Sequence, residues 1–344
     1  MNIYDRIQNQ NNRRIPTLDR IFLIEDSKQN IKKNYPYTEY IINAMRSIDK
    51  KYTDKLIEQG NRVENQLKKR LEIEYPSLEF ERQGSVSNNT HIKYSSDIDV
   101  LIIIDKFVTV ESSSNITNPY KGDSNQDLLE LRTKCVEELK KAFPETKVDD
   151  TGANSIEISG GSLACKVDSV PSNWYYTDEY YRSYNKIERG IQILNKKEML
   201  RKTNFPFKFN YLLDQNDRYR NGVTRMLIRL LKTIKVDSDK NIDFSSYDIS
   251  SIVYRMPNEF FQFNIKNPIE IMKNLFNWMM TINVNYQNIR NQLKVVDDSR
   301  LIFDKDEKIK EFGKLYYEVI NIMSKAESEN RNGLLPYITE SHLY

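Results

Sequence analysis

The sequence predicts an α/β protein, with a small twisted mixed sheet that carries acidic residues and a helical lobe after it. Three observations support this. Between residues 78 and 170, short apolar runs alternate with glycine and polar turns, as strands do. From about Asn204 onward, apolar residues recur at helical spacing instead. Ahead of both, Ile41, Met45, Ile48, Tyr52, Leu56, Val63, Leu67 and Leu71 mark one face of a long amphipathic stretch. A chain of 344 residues is long enough for two lobes.

Taken in order, residues 1–36 are rich in Gln, Asn and Lys and read as a polar arm. Residues 37–75 read as one long helix bracing both lobes; Gly60 inside it costs about 1 kcal/mol and marks a bend, and Pro76 ends it. Leu78–Gln83 reads as a strand. Asp97–Asp105 reads as a second, and its apolar run Val100–Ile104 implies burial on both faces. A Ser/Asn-rich loop is expected over 106–123. Leu128, Leu131, Cys135, Leu139 and Phe143 then give an amphipathic helix. Strands near 155–158 and 162–170 flank Gly160-Gly161, a hairpin turn signal. Helices are expected near 206–214, 219–236, 245–255, 268–282 and 305–326, with a loosely packed tail over 327–344. The expected domains are therefore the arm 1–36, a core 37–200 that includes the bracing helix, and a helical lobe 201–344.

Composition narrows the function classes. With 52 basic and 49 acidic side chains, the net charge of +3 argues against a whole-surface nucleic-acid binder. The apolar runs are too short to span a bilayer, and the polar N-terminus does not resemble a secretory signal. Two cysteines (Cys135, Cys165) and two histidines (His91, His342) lack the spacing of a zinc site. The expectation is a reduced, cytoplasmic protein.

The chemistry is concentrated in a few positions. On a strand, Asp97 and Asp99 share a face while Ile98 and Val100 enter the core. Neighbouring carboxylates repel unless a cation lies between them, and oxygen ligands suit magnesium. Asp168, flanked by Val167 and Val170, supplies a third carboxylate; three together suit two metal ions about 3.5–4 Å apart. Gly84-Ser85 begins a turn in which backbone and hydroxyl can approach a phosphate. In the helix 219–236, Arg225, Arg229 and Lys232 fall on one face, readable as a solvated basic face or as phosphate contacts. The tyrosines between Trp174 and Tyr184 suit either a nucleotide pocket or packing between lobes, packing being the preferred reading, and Cys165 reads as a core thiol. His91 follows the glycine turn and is a weaker candidate contact.

Together, Gly84-Ser85 with Thr90, Ser96-Asp97-Ile98-Asp99, Val167-Asp168-Ser169-Val170-Pro171, Asn204-Phe205-Pro206, Arg229-Leu230-Leu231-Lys232 and Ser246-Tyr247 resemble the DNA polymerase β-like nucleotidyltransferase superfamily. More narrowly, they resemble the bacterial synthases related to cyclic GMP-AMP synthase (DncV-like) and oligoadenylate synthetase. The resemblance spans about Tyr37 to Ile320 and implies a polymerase β-like core with an oligoadenylate synthetase-like helical lobe. It implies that Asp97 and Asp99 bind Mg2+ (two ions, Mn2+ being an alternative) and that Asp168 joins them and helps activate the acceptor hydroxyl. It further implies that Lys232 and Ser246 contact phosphate and that Tyr247 stacks a base. The implied substrates are nucleoside triphosphates, ATP among them, and the implied product is a cyclic di- or trinucleotide read by an effector in anti-phage (CBASS) defence. Neither a membrane nor a nucleic-acid activator is indicated. A linear oligoadenylate or RNA-end transferase is the second reading, and a silent nucleotide-binding module the third.

Overall fold

The computed structural model describes residues 1–16, 35–111, 120–261, 267–284 and 288–330. Helices α1 (Ile3–Arg14), α2 (Pro36–Met45) and α3 (Lys50–Leu71) come first. Strand β1 (Glu79–Gln83), the single-turn helix α4 (Gly84–Ser87) and strand β2 (Ile98–Val110) follow. Next come α5 (Ser124–Ala142), β3 (Lys147–Asp149), β4 (Ile156–Ser159), β5 (Val167–Tyr176), α6 (Asp178–Ser183), β6 (Arg189–Asn195) and β7 (Leu200–Asn204). The rest is helical: α7 (Pro206–Tyr219), α8 (Val223–Val236), α9 (Ser246–Tyr254), α10 (Pro268–Val284) and α11 (Asp306–Asn330). The chain divides into a sheet unit, Lys50–Asn88 with Ser95–Tyr211, and a helical unit, Met1–Asp49 with Asn89–Tyr94 and Leu212–Tyr344.

The sheet runs β1-β2-β5-β4-β3, with β6 paired to β5 and to β7. It is mixed: β2 and β5 are parallel and the other pairs antiparallel. Side-chain alternation splits the apolar run of β2 between two cores. Ile98, Val100, Ile102 and Ile104 pack with Leu56, Val63 and Leu67 of α3 and with Leu128, Leu131 and Cys135 of α5. Leu101 and Ile103 pack with Val170, Trp174, Ile191 and Ile193. The strand is thus covered on both faces, as its composition predicts. Gly60 lets α3 lie close to this sheet, since a Cβ there would come within 2.7 Å of the Ile98 Cγ2 methyl.

Several expectations need correction. β2 does not end at Asp105. Asp105 and Lys106 are exposed and look like a loop, but the strand resumes after a register shift and reaches Val110. Of the expected loop, residues 112–119 lie outside the described residues. Gly160 and Gly161 do turn the chain with positive φ (80° and 56°), yet β5 begins only at Val167 and continues to Tyr176. The β6–β7 hairpin was not expected, because β7 (Leu-Arg-Lys-Thr-Asn) is polar and alternates only between exposed and half-buried.

In the helical unit, the polar arm contains a docked helix. The Asn2 side chain caps α1 by accepting from the Asp5 N–H (2.9 Å), and Ile3, Arg6 and Gln10 form its buried stripe. Arg6 pairs with Glu318 at 2.8 Å, and Arg13 forks onto Asp237 at 2.5 and 2.9 Å. The long helix is also interrupted, because residues 46–49 leave the helical path between α2 and α3. Arg14 donates to the carbonyls of Arg46 and Ser47, and Arg229 to that of Met45, so side chains satisfy these acceptors in place of the next helical turn. α11 extends to Asn330, so the expected tail begins as helix; residues 331–344 lie outside the described residues. Among the described residues, no helix is long and apolar enough to cross a membrane.

Candidate active site

Because β2 and β5 run parallel in register, Asp99 stands directly beside Asp168. Alternation puts Asp99 on the face of Leu101 and Ile103, and Asp168 on the face of Val170 and Trp174. The two carboxylates therefore begin the face opposite α3 and α5. Asp97 sits exposed just ahead of β2. Burial first, then the charges of Asp168 and Asp97, push the Asp99 carboxyl up to about 7. Burial, followed by Asp97 and Glu157, also raises Asp168, against a hydrogen bond from Ser155 and the charge of Lys166.

Glu157 lies opposite Asp168 across β4–β5 and is paired with Lys166 at 2.8 Å. Ser155, Glu157 and Lys166 were not singled out in the sequence. Only strand register reveals them, and no local motif marks it.

Gly84 shows why a glycine opens this turn. Its φ is +87°, and a Cβ would come within 2.0 Å of the Asp99 Oδ2. A side chain would be strained by the backbone and would collide with the carboxylate. Val86 anchors the turn in the core, while Ser85 stays half-buried.

The donor set fits a divalent cation: hard carboxylate oxygens that destabilise one another until positive charge arrives. Among the described residues, no three acidic, histidine or cysteine side chains enclose an ion by themselves. Magnesium ordinarily completes its shell with water and substrate phosphate. A pH effect follows. In chelator, Asp99 is protonated more readily in the folded chain than in the unfolded one, so it contributes stability at low pH that is lost as pH rises through about 7. Asp99→Asn should therefore raise the Tm of the metal-free protein at pH 8 and leave it nearly unchanged below about pH 4, as read by thermal melts.

The other candidates belong to the helical unit. Lys232 is buried, and its Nζ donates to the Thr90 carbonyl at 2.7 Å. Burial, then Arg229, Lys235 and Lys93, lowers it to about 8. Arg229, 3% exposed, donates to the carbonyls of Met45 and Asn89, both at 2.8 Å. Arg225 is neutralised by Asp217 (2.6 Å) and Asp214 (3.1 Å). The expected basic stripe is thus not a solvated face. Arg225 and Arg229 brace the fold, and Lys232 is a buried cation that pairs with no acidic side chain among the described residues. Ser246 is exposed at the start of α9, and Tyr247 beside it is half-buried. His91 is 1% exposed. The tyrosines after Trp174 pack within their own unit: Trp174 donates to Glu79 at 2.8 Å, Tyr176 lies 4.6 Å from Tyr180, and Tyr175 lies 6.0 Å from Phe205.

Residues 64–156 match the nucleotidyltransferase domain, and residues 214–324 match the cGAS/DncV-like nucleotidyltransferase C-terminal helical domain. The cyclic dinucleotide synthase CdnE of Yersinia aleksiciae is 34% identical over 92% of this chain and 86% of its own length. The chain belongs to the cGAS/DncV-like nucleotidyltransferase family. A c-di-GMP synthase of a Lachnospiraceae bacterium is 31% identical over 82% of this chain and 86% of its own. The solved STING-associated CdnE c-di-GMP synthase of Capnocytophaga granulosa superposes with a TM-score of 0.78 at 29% identity, covering 95% of this chain and 99% of that one. The protein is accordingly a nucleotidyltransferase, a class that uses divalent metal ions, and its mixed sheet is the polymerase β-like core of that family.

Proposed function

We propose that the protein joins two nucleoside triphosphates into a cyclic dinucleotide messenger, read by a downstream effector in anti-phage (CBASS) signalling in the bacterial cytoplasm. The observation that carries this is the Asp99–Asp168 pair, abreast on parallel strands beside the Gly84 turn. Retained carboxylates also count against a silent binding module. The chemistry is in-line attack of a ribose hydroxyl on an α-phosphate, with pyrophosphate leaving.

Asp97, Asp99 and Asp168 would hold two Mg2+ ions, Mn2+ being a substitute, and such ions neutralise the phosphate charge that builds during transfer. Asp168 would also orient and accept the proton of the attacking hydroxyl. Gly84 and Ser85 would admit a phosphate, Lys232 and Ser246 would contact the triphosphate, and Tyr247 would stack on a base. The near-neutral net charge of +3 supports synthesis without a nucleic-acid activator or primer.

The c-di-GMP synthases among the relatives, two of them 31% identical, favour GTP as sole substrate. A second reading, ATP joined to GTP, is favoured by a cyclic dipurine nucleotide synthase of Elizabethkingia meningoseptica, 25% identical. Omitting one labelled triphosphate at a time separates them: GTP alone should sustain product formation. A requirement for ATP would select the mixed product.

Lys232→Met should raise the KM for nucleotide about tenfold, one contact to charged phosphate contributing roughly 1.5 kcal/mol. Tm should change little, since losing the Thr90 hydrogen bond is offset by removing a buried cation among cations. An unchanged KM would return Lys232 to a structural role.

A further inference from the structure

The segment Leu293–Ile302 folds back on itself beside α9. Lys294 and Leu301 form an antiparallel bridge, with the Val295 N–H donating to the Arg300 carbonyl at 3.0 Å and the Ile302 N–H to that of Leu293 at 2.8 Å. Asp298 takes a positive φ of 64° near the tip. The loop is fastened to α9 and to Arg255 just after it. The Val296 N–H donates to the Ser251 hydroxyl (3.2 Å), and Arg255 donates to the Val295 carbonyl (2.7 Å). Ser251 in turn donates to the Tyr247 carbonyl at 2.8 Å.

This bracing fixes Asp297, which is 6% exposed. Its Oδ1 accepts from the Ser299 N–H (3.0 Å) and hydroxyl (2.7 Å), so the carboxylate cannot swing freely. Its Oδ2 accepts from the Tyr247 hydroxyl. The Arg300 guanidinium, held by Asp248 at 2.8 Å, lies 5.7 Å from the Tyr247 ring centroid. Burial and then the Asp297 charge raise the Tyr247 phenol well above its ordinary range, which keeps the hydroxyl a donor.

We propose that Asp297 is a positioning residue that holds the Tyr247 ring in its nucleotide-stacking orientation. The proposal rests on the reading of Tyr247 as a base-stacking residue. A base stacks on the π face and needs no hydroxyl, so phenylalanine would serve equally well if the ring were held by packing alone. A tethered ring, in contrast, loses less rotamer freedom when a base arrives. The hydroxyl therefore matters through its bond to Asp297.

The test is steady-state pyrophosphate release by the full chain with GTP, with and without ATP, alongside thermal melts. Tyr247→Ala should raise KM about tenfold or more. Tyr247→Phe and Asp297→Ala should each raise it about threefold with kcat within about twofold. The double variant Tyr247→Phe with Asp297→Ala should be no worse than either alone, because both remove the same tether. Asp297→Asn, which keeps a hydrogen-bonding group on each arm, should recover most of the affinity. A raised KM in Tyr247→Ala with wild-type KM in Tyr247→Phe and Asp297→Ala overturns the positioning role and leaves the stacking reading standing. Wild-type KM in Tyr247→Ala overturns both. If Asp297→Ala melts too low to assay, Tyr247→Phe decides the matter: a KM raised about threefold supports the tether, and a wild-type KM overturns it.

Discussion

Replacing Asp97 and Asp99 together by asparagine is expected to lower nucleotide transfer by roughly a thousandfold or more and to leave the fold intact. A divalent ion held by carboxylates supplies several kcal/mol of charge stabilisation to the reacting phosphate, and about 4 kcal/mol corresponds to that factor. Asparagine keeps the size and an oxygen of aspartate but not the charge. Val100, Leu101, Ile102 and Ile103, fully buried beyond Asp99, keep β2 in place whichever residue heads it. Burial and the charges of Asp168 and Asp97 raise the Asp99 carboxyl, a cost to the empty protein, so the variant should melt no lower than wild type at pH 8. Added Mg2+ should raise the Tm of wild type and leave the variant unmoved. Turnover within tenfold of wild type would remove these carboxylates from the chemistry.

Gly84→Ala should do nearly as much damage by a different route. The alanine would have to keep a φ of +87°, which costs about 1–2 kcal/mol, while its methyl occupies the position of the Asp99 Oδ2. Either the carboxylate rotates off its rotamer or the turn shifts away from β2. A displacement of about 1 Å at a reacting centre costs on the order of a hundredfold in rate. The expected result is a kcat lower by about that factor, with Tm reduced by a few degrees. Near-wild-type kcat would show that neither the turn nor the Asp99 rotamer is critical. Serine at this position should behave like alanine, since only the missing Cβ distinguishes glycine here.

How much of this was legible in the residues depends on which interactions write a local signal. The apolar run Val100–Ile104 betrays a strand covered on both faces, and Gly160-Gly161 betrays its hairpin, because burial and positive φ restrict residue type at single positions. The helices of the second half follow from apolar spacing for the same reason. α1 was illegible because its buried face is built from Arg6 and Gln10, whose burial depends on partners such as Glu318. The break at 46–49 was hidden because Ile48 stays buried and carries the apolar rhythm across it. At the site, Asp97 and Asp99 are visible from alternation. Asp168 is legible from its place on an apolar strand, but that Asp99 stands abreast of it depends on the β2–β5 register, which no local pattern encodes. On α8, spacing puts Arg225, Arg229 and Lys232 on one face. Only the fold shows that the first is neutralised by acids, the second spent on carbonyls, and the third paired with no acidic side chain among the described residues.

The most direct measurement is the fate of the main product under phosphatase. The protein is incubated with α-labelled triphosphates and Mg2+, without any nucleic acid, and the product is treated with phosphatase before separation. A cyclic dinucleotide has no terminal phosphate, so the labelled product should survive unchanged, and it should be absent from the Asp97→Asn with Asp99→Asn variant. A product that phosphatase discharges would be a linear oligonucleotide. That result, or product formed only when a nucleic-acid primer is added, would contradict cyclic messenger synthesis.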